Sequence, residues 1–244
     1  MLIVVIPIKH EIIEIFSPLW FKANIITVGI IVLILLLGNS YDKKKRELLA
    51  IFIGFILFLD VIGIHFYLVY LGIWSVHDSM PLHLCGLSAI LSALVLFWRN
   101  QLAYECLYYW GIVGAFHSLL TPELTMGMQG LLIYDYFLSH GGIILSALYL
   151  TWIIGMRPRP GSWWNIFLFS QLLIPIIGSI NWLLDSNYMY LCVKPEANNP
   201  FLIGPWPWYI VGIELAAIIH FFIVYSPFIL KKKLLRKNGS TSTI

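Results

Sequence analysis

Ser79-Met-Pro-Leu-His-Leu-Cys-Gly-Leu-Ser88 opens an apolar run that continues without a charged residue from Leu82 to Trp98. A run of that length is at the short end of the roughly 17 to 25 residues an α-helix needs to cross about 30 Å of hydrocarbon. Pro81 is suited to the first turn of such a helix, where its missing N–H has no partner to lose. Spanning lipid requires neither the Cys85 thiol nor the His83 imidazole. The stretch therefore asks whether the rest of the chain brings partners to Cys85 or leaves it as a small apolar residue.

Outward from this stretch, the same pattern repeats. Hydrophobic residues make up 60% of the 244 and charged residues 11%, against about a quarter charged in soluble proteins, and the mean hydropathy is +0.86. The charges fall between apolar runs at about Ala23–Gly38, Glu47–Leu71, Pro81–Trp98, Leu102–Leu120, Leu131–Gly155, Trp163–Leu184 and Trp206–Leu230. Strands of about ten alternating residues, the mark of a membrane β-barrel, do not occur. The expected fold is all-α, a polytopic integral membrane protein of seven transmembrane helices forming one domain over residues 1–230. Residues 1–20 are expected as a short interfacial segment, and 231–244 as a basic, disordered tail. Pro175 is expected to kink the sixth span. No small-residue cleavage site follows the first run, so a cleavable signal is not expected. Three scattered cysteines without a CxxC indicate neither a disulfide framework nor a zinc site.

Orientation follows from the basic residues. Lys43 to Arg46, Arg99, Arg157, Arg159, Lys231 to Lys233, Arg236 and Lys237 share one side, leaving Lys9, Lys22 and Lys194 on the other. The N-terminus is thus expected outside and the C-terminus in the cytoplasm, in a cell membrane, with a bacterial cytoplasmic membrane expected. No internal repeat of the kind found in many secondary transporters is visible.

An ionisable residue inside a bilayer is costly unless it faces protein or water, so each is a candidate site residue. Asp60, His65, His83, Cys85, His117, Asp135, His140, Asn181, Asp185 and Glu214 all fall in the outer halves of their spans or just beyond them. They point to one outward-facing polar cavity. Within it, residue types suggest a Cys/His pair, since a thiol is a weak nucleophile until a base takes its proton. On a helix, His83 and Cys85 lie about 200° apart, so the base must come from another span: His140, His117 or His65. Asp60, Asp185 or Glu214 could orient that imidazole as the third member of a triad; Asp135, five residues before His140, is off its face. Asn181 or backbone amides near Gly86 are candidate oxyanion donors. GxSxG, Walker, GxGxxG and HExxH patterns are absent, as is a histidine followed four residues on by aspartate.

Five motifs carry a resemblance: Pro81-Leu-His-Leu-Cys85, Leu120-Thr-Pro-Glu-Leu124, Phe137-Leu-Ser-His-Gly141, Asn187-Tyr-Met-Tyr-Leu191 with Lys194-Pro195, and Gly204-Pro-Trp-Pro-Trp-Tyr209. In this order and spacing, over nearly the whole chain, the sequence resembles the YwaF-like membrane proteins related to transmembrane protein 164. Met80 stands where leucine is expected, and His117 is not part of the pattern. The resemblance implies a polytopic acyltransferase that moves a fatty acyl chain between glycerophospholipids, with a cysteine nucleophile and a histidine partner on a later helix. Motif to motif, these fall on Cys85 and His140.

The expected function is acyl transfer through a Cys85 thioester with His140 as general base. A phospholipid donor and a lysophospholipid acceptor in the bilayer are the expected partners; no cofactor, metal or nucleic acid is expected. Two alternatives stand beside it. One is a lipid-ester hydrolase using the same pair, like the androgen-induced fatty-acid-ester hydrolases, which carry threonine at the position of Cys85. The other is a non-catalytic, proton-coupled binding or transport protein.

Overall fold

Ser17 closes a turn and accepts the Trp20 N–H on its hydroxyl at 3.2 Å, with Pro18 at the first helical position, and from there helix α1 (Pro18–Ser40) runs 23 residues. Two residues later Asp42 accepts the Lys45 N–H at 2.9 Å and starts α2 (Lys43–Tyr70). So short a turn folds α2 back antiparallel to α1. Arg46 fastens the turn, donating to the Gly38 and Asn39 carbonyls at 3.0 and 2.9 Å. The computed structural model describes residues 10–196 and 200–239, the last nine of these as backbone only.

The remaining elements are α3 (Leu84–Phe97), α4 (Gln101–Cys106), α5 (Ile112–Leu120), α6 (Leu132–Tyr149), α7 (Ser162–Ser170), α8 (Leu173–Leu184) and α9 (Trp208–Gly239). A π-helical stretch, Leu107–Gly111, joins α4 to α5, and another, Leu150–Ile154, extends α6. Counted this way the described residues form seven helical rods. Five are long and apolar enough to cross a membrane: Pro18–Ser40, Lys43–Tyr70, Leu132–Ile154, Ser162–Leu184 and Trp208–Leu230; Leu84–Phe97 is a shorter apolar helix. The protein is an all-α polytopic membrane protein. Exposed aromatic residues mark both ends of the rods, with Tyr70, Tyr134, Trp182 and Trp208 at one and Trp98, Trp152 and Trp164 at the other. That is where amphipathic rings meet lipid headgroups.

The fold is organised around α6. Of its most apolar window 56% is buried, against 17 to 22% for the other four long helices. Glycines allow that enclosure: a Cβ on Gly141 would lie 2.6 Å from the Thr27 methyl of α1. Tyr149, wholly buried, donates to the Arg46 carbonyl at 2.9 Å and ties the far end of α6 to the α1–α2 turn. Glu105, 1% exposed, accepts from Arg159 along both carboxylate oxygens, the shortest contact being 2.6 Å, and from the Arg159 backbone N–H at 2.7 Å. Its role is to close the loop 155–161 over α4.

The long connections 71–83, 121–131 and 185–207 meet at the other end. Tyr188 donates to the Val76 carbonyl at 2.7 Å and accepts the Met80 N–H at 3.0 Å. Glu123 accepts the Glu196 N–H at 3.1 Å. A two-residue pairing, β1 (Glu11–Ile12) with β2 (Glu123–Leu124), adds the N-terminal segment.

Several boundaries differ from the sequence expectation. Glu11–Ile12 pair as a short strand with Glu123–Leu124 of the 121–131 loop; residues 1–9 fall outside the described set. Pro81 is not in the first turn of α3, which starts at Leu84 with an extended His83 before it. Pro81 instead folds back over that turn, so close that a Cβ on Gly86 would sit 2.9 Å from its backbone. The sixth rod breaks at Gln171–Leu172, four residues before Pro175, where the ring removes the N–H that would bond the Gln171 carbonyl. Helix α9 continues through Gly239, past the expected start of the tail at Lys231; 240–244 lie outside the described residues.

Candidate functional site

A cavity of about 340 Å³ opens beneath the three long connections, with Cys85, His83, His117 and His140 all on its wall. Because α3 is 14 residues, it covers about 21 Å by helical rise. That is short of about 30 Å of hydrocarbon. Cys85 is the second residue of α3 and half-buried. The first-turn N–H groups have no partner inside the helix, and they favour an anion placed there.

Cys85 meets its partners from two other rods. Its sulfur lies 3.6 Å from the Ser118 hydroxyl of α5, and it interacts side chain to side chain with His140 of α6. Gly114 leaves the space beside the sulfur open, since a Cβ there would sit 3.6 Å away. His140 is oriented by its own helix: Nδ1 lies 2.7 Å from the Tyr136 carbonyl, and the two rings are 4.3 Å apart. A carbonyl oxygen only accepts, so Nδ1 carries the proton. In the neutral ring Nε2 is then the basic nitrogen. Tyr136 is itself fixed, its hydroxyl donating to the Ser118 carbonyl at 2.8 Å.

The carboxylate expected to orient the imidazole is replaced by that backbone carbonyl. Asp60 and Asp135 both act on His140 through charge, without a hydrogen bond to it. Asp135 lines the cavity although sequence spacing had set it aside. The ring of His140 reaches back along α6 toward Tyr136, which brings it nearer Asp135 than a straight projection does.

Other candidates are elsewhere. His65 accepts the Trp74 indole N–H at 3.1 Å. Asp185 is the left-handed cap of α8, at φ 50°. Glu214 accepts from Gln171 at 2.7 Å. None of these three lines the cavity. Asn181, 2% exposed, has both ends of its amide in use: it accepts the Tyr188 N–H at 2.8 Å and donates to the Tyr188 carbonyl at 2.9 Å. It does not line the cavity, so its remaining N–H does not face a substrate oxygen there. His83 faces the 188–190 turn, accepting the Met189 N–H on Nδ1 at 3.2 Å. His117 pairs with His220 of α9, Nε2 to Nε2 at 3.3 Å. Among the described residues no three or more His, Cys, Asp or Glu side chains converge as metal ligands.

Residues that sequence reasoning missed include Ser118, Tyr136 and Tyr190. For Tyr190 the Asn187-Tyr-Met-Tyr-Leu191 motif was the nearest signal, and there Met189 and Tyr190 both hold left-handed backbones, at φ 57° and 54°. Such backbones cost about 1 to 3 kcal/mol each and persist where the surroundings over-determine them. A second cavity, about 370 Å³, lies on the other side of Tyr190 and His83, with Asp78, Lys194 and Glu196 on its wall.

Compared with known proteins, the chain matches the sequence model of the TMEM164 family over residues 9–225. It is 26% identical over 155 residues to an uncharacterized protein of Treponema pallidum (strain Nichols), covering 62% of this chain and 56% of that protein. The chain thus spans a little over half the length of this relative. No solved structure matches it.

Proposed function

This chain belongs to the TMEM164 family, and from that premise and the geometry of its cavity we propose that it is a membrane acyltransferase moving a fatty acyl chain between glycerophospholipids. His140 Nε2 takes the Cys85 proton, and the thiolate attacks the ester carbonyl of a donor phospholipid. The tetrahedral adduct collapses, the lysophospholipid alkoxide leaves with the proton held on His140, and a Cys85 thioester remains. The hydroxyl of an acceptor lysophospholipid then reverses these steps. The observation that carries the reading is the meeting of Cys85 and His140 on one cavity wall, with the Tyr136 carbonyl leaving Nε2 as the basic nitrogen. Ile64, Leu68 and Leu132 give the cavity an apolar side for the acyl chain, which limits water at the thioester.

Seven crossings, with the cavity end outside and the basic turns in the cytoplasm, complete the proposal; the distribution of Lys and Arg supports it, and the membrane is the cytoplasmic membrane of a bacterium. The polar side of the cavity, Glu123, Thr125 and Asp135, favours a second reading in which water accepts the acyl group. A phospholipid donor labelled in its acyl chain separates the two. Label in a new phospholipid, lost in Cys85→Ala and His140→Ala, is the expected result. Free fatty acid alone identifies a hydrolase, and wild-type transfer by Cys85→Ala overturns both.

A further inference from the structure

The reaction above develops a negative oxygen beside Cys85, and the residue first suited to meet it, Asn181, lies off the cavity wall, bonded to the Tyr188 backbone. What Asn181 holds is the backbone of Tyr188, and through it the turn that presents Tyr190. Four contacts fix that turn. Asn181 brackets Tyr188 N–H and C=O, the Tyr188 hydroxyl spans to Val76 and Met80, His83 takes the Met189 N–H, and the Tyr209 hydroxyl donates to the Tyr190 carbonyl at 2.6 Å. Each of them uses a group other than the Tyr190 phenol. No hydrogen bond among the described residues uses that phenol either. Its ring lies 5.1 Å from His83, and the side chain lines both the cavity of Cys85 and the neighbouring polar one. Two strained residues and four anchors thus position a hydroxyl that bonds nothing among the described residues.

We propose that Tyr190 is a catalytic residue whose phenolic O–H donates to the oxyanion formed when Cys85 attacks an ester carbonyl. As the C–S bond forms, the carbonyl π pair moves to oxygen, where the phenol meets it beside the first-turn amides of α3. The pair returns as the C–O bond to the leaving alkoxide breaks, and the phenol keeps its proton throughout. Burial pushes the Tyr190 phenol well above the usual tyrosine range, so it remains a donor at any pH where the thiolate forms. Ser118, 3.6 Å from the sulfur, is on the nucleophile side and serves the thiolate.

This role rests on the Cys85 thioester reading, and the test separates the two. In the full-length protein in lipid, Tyr190→Phe is compared with wild type in two reactions of Cys85: acylation by a labelled phospholipid, and alkylation by iodoacetamide, which displaces iodide at a saturated carbon and forms no oxyanion. Acylation is expected to fall roughly 10²- to 10³-fold, with alkylation unchanged. Tyr190→3-fluorotyrosine, a stronger donor of nearly the same shape, is expected to keep acylation at or above wild type. Wild-type acylation by Tyr190→Phe overturns the role, as does an equal loss of both reactions, which marks a structural defect. Acylation that survives in Cys85→Ala would sink the reading of the site itself.

Discussion

Replacing Asn181 by alanine removes the amide that brackets Tyr188. The side chain is 2% exposed, so water cannot take its place easily, and two buried backbone groups, Tyr188 N–H and C=O, lose their partners at once. An orphaned buried donor or acceptor costs about 1 to 3 kcal/mol. The Ser186 hydroxyl, 3.0 Å from the Asn181 oxygen, can turn to water and adds little. The loss is therefore about 2 to 6 kcal/mol. At about 2 to 4 °C per kcal/mol for a chain of this size, thermal unfolding falls by at least several degrees. Because Tyr190 rides on the same turn, acyl transfer falls as well, while alkylation of Cys85 by iodoacetamide persists at a temperature where the variant is folded. Melting of purified protein in detergent, followed by tryptophan fluorescence, supplies the first measurement. A variant that melts within about a degree of wild type, less than one orphaned group predicts, would refute the bracketing account.

Two further outcomes follow from the same kind of reasoning. Arg159→Ala is expected to destabilise more than Glu105→Gln, by unfolding in denaturant. It leaves a carboxylate 1% exposed without its counter-charge, whereas Arg159 is itself solvated at 60% exposure, and that solvation keeps the loss below the roughly 3 to 5 kcal/mol of a fully buried pair; the reverse order would refute the ranking. Asp185→Gly relieves a left-handed backbone at the end of α8 and is expected to leave acyl transfer intact and to be stabilising by about 0.5 to 1 kcal/mol. Loss of transfer in that variant would return Asp185 to the site.

The rods were legible in the sequence because apolar runs and charge clusters are local signals, and because length alone separates a span from a buried strand. The meeting of Cys85 with His140 came from motif resemblance, not from periodicity, which left three histidines open. Two errors share a cause. The opposition of His83 and Cys85 assumed both lie on one helix, whereas α3 begins after His83; yet both still line the cavity, because the extended cap carries His83 to the 188–190 turn. Asn181 was taken for a donor to substrate because its partner, the Tyr188 backbone, carries no sequence signal. The same holds for the Tyr136 carbonyl that took the place expected of a carboxylate. Loop-to-loop hydrogen bonds such as Tyr188 to Val76 depend on tertiary packing, and no pattern within either segment announces them.

The central claim is that Cys85 carries the acyl group. Intact mass of the purified protein, quenched in acid shortly after mixing with a phospholipid donor, measures this directly. One added acyl chain is expected, released by hydroxylamine, mapped to Cys85 and absent from Cys85→Ala. An adduct that persists in Cys85→Ala would contradict it, and so would transfer activity that proceeds in Cys85→Ala with no adduct at all.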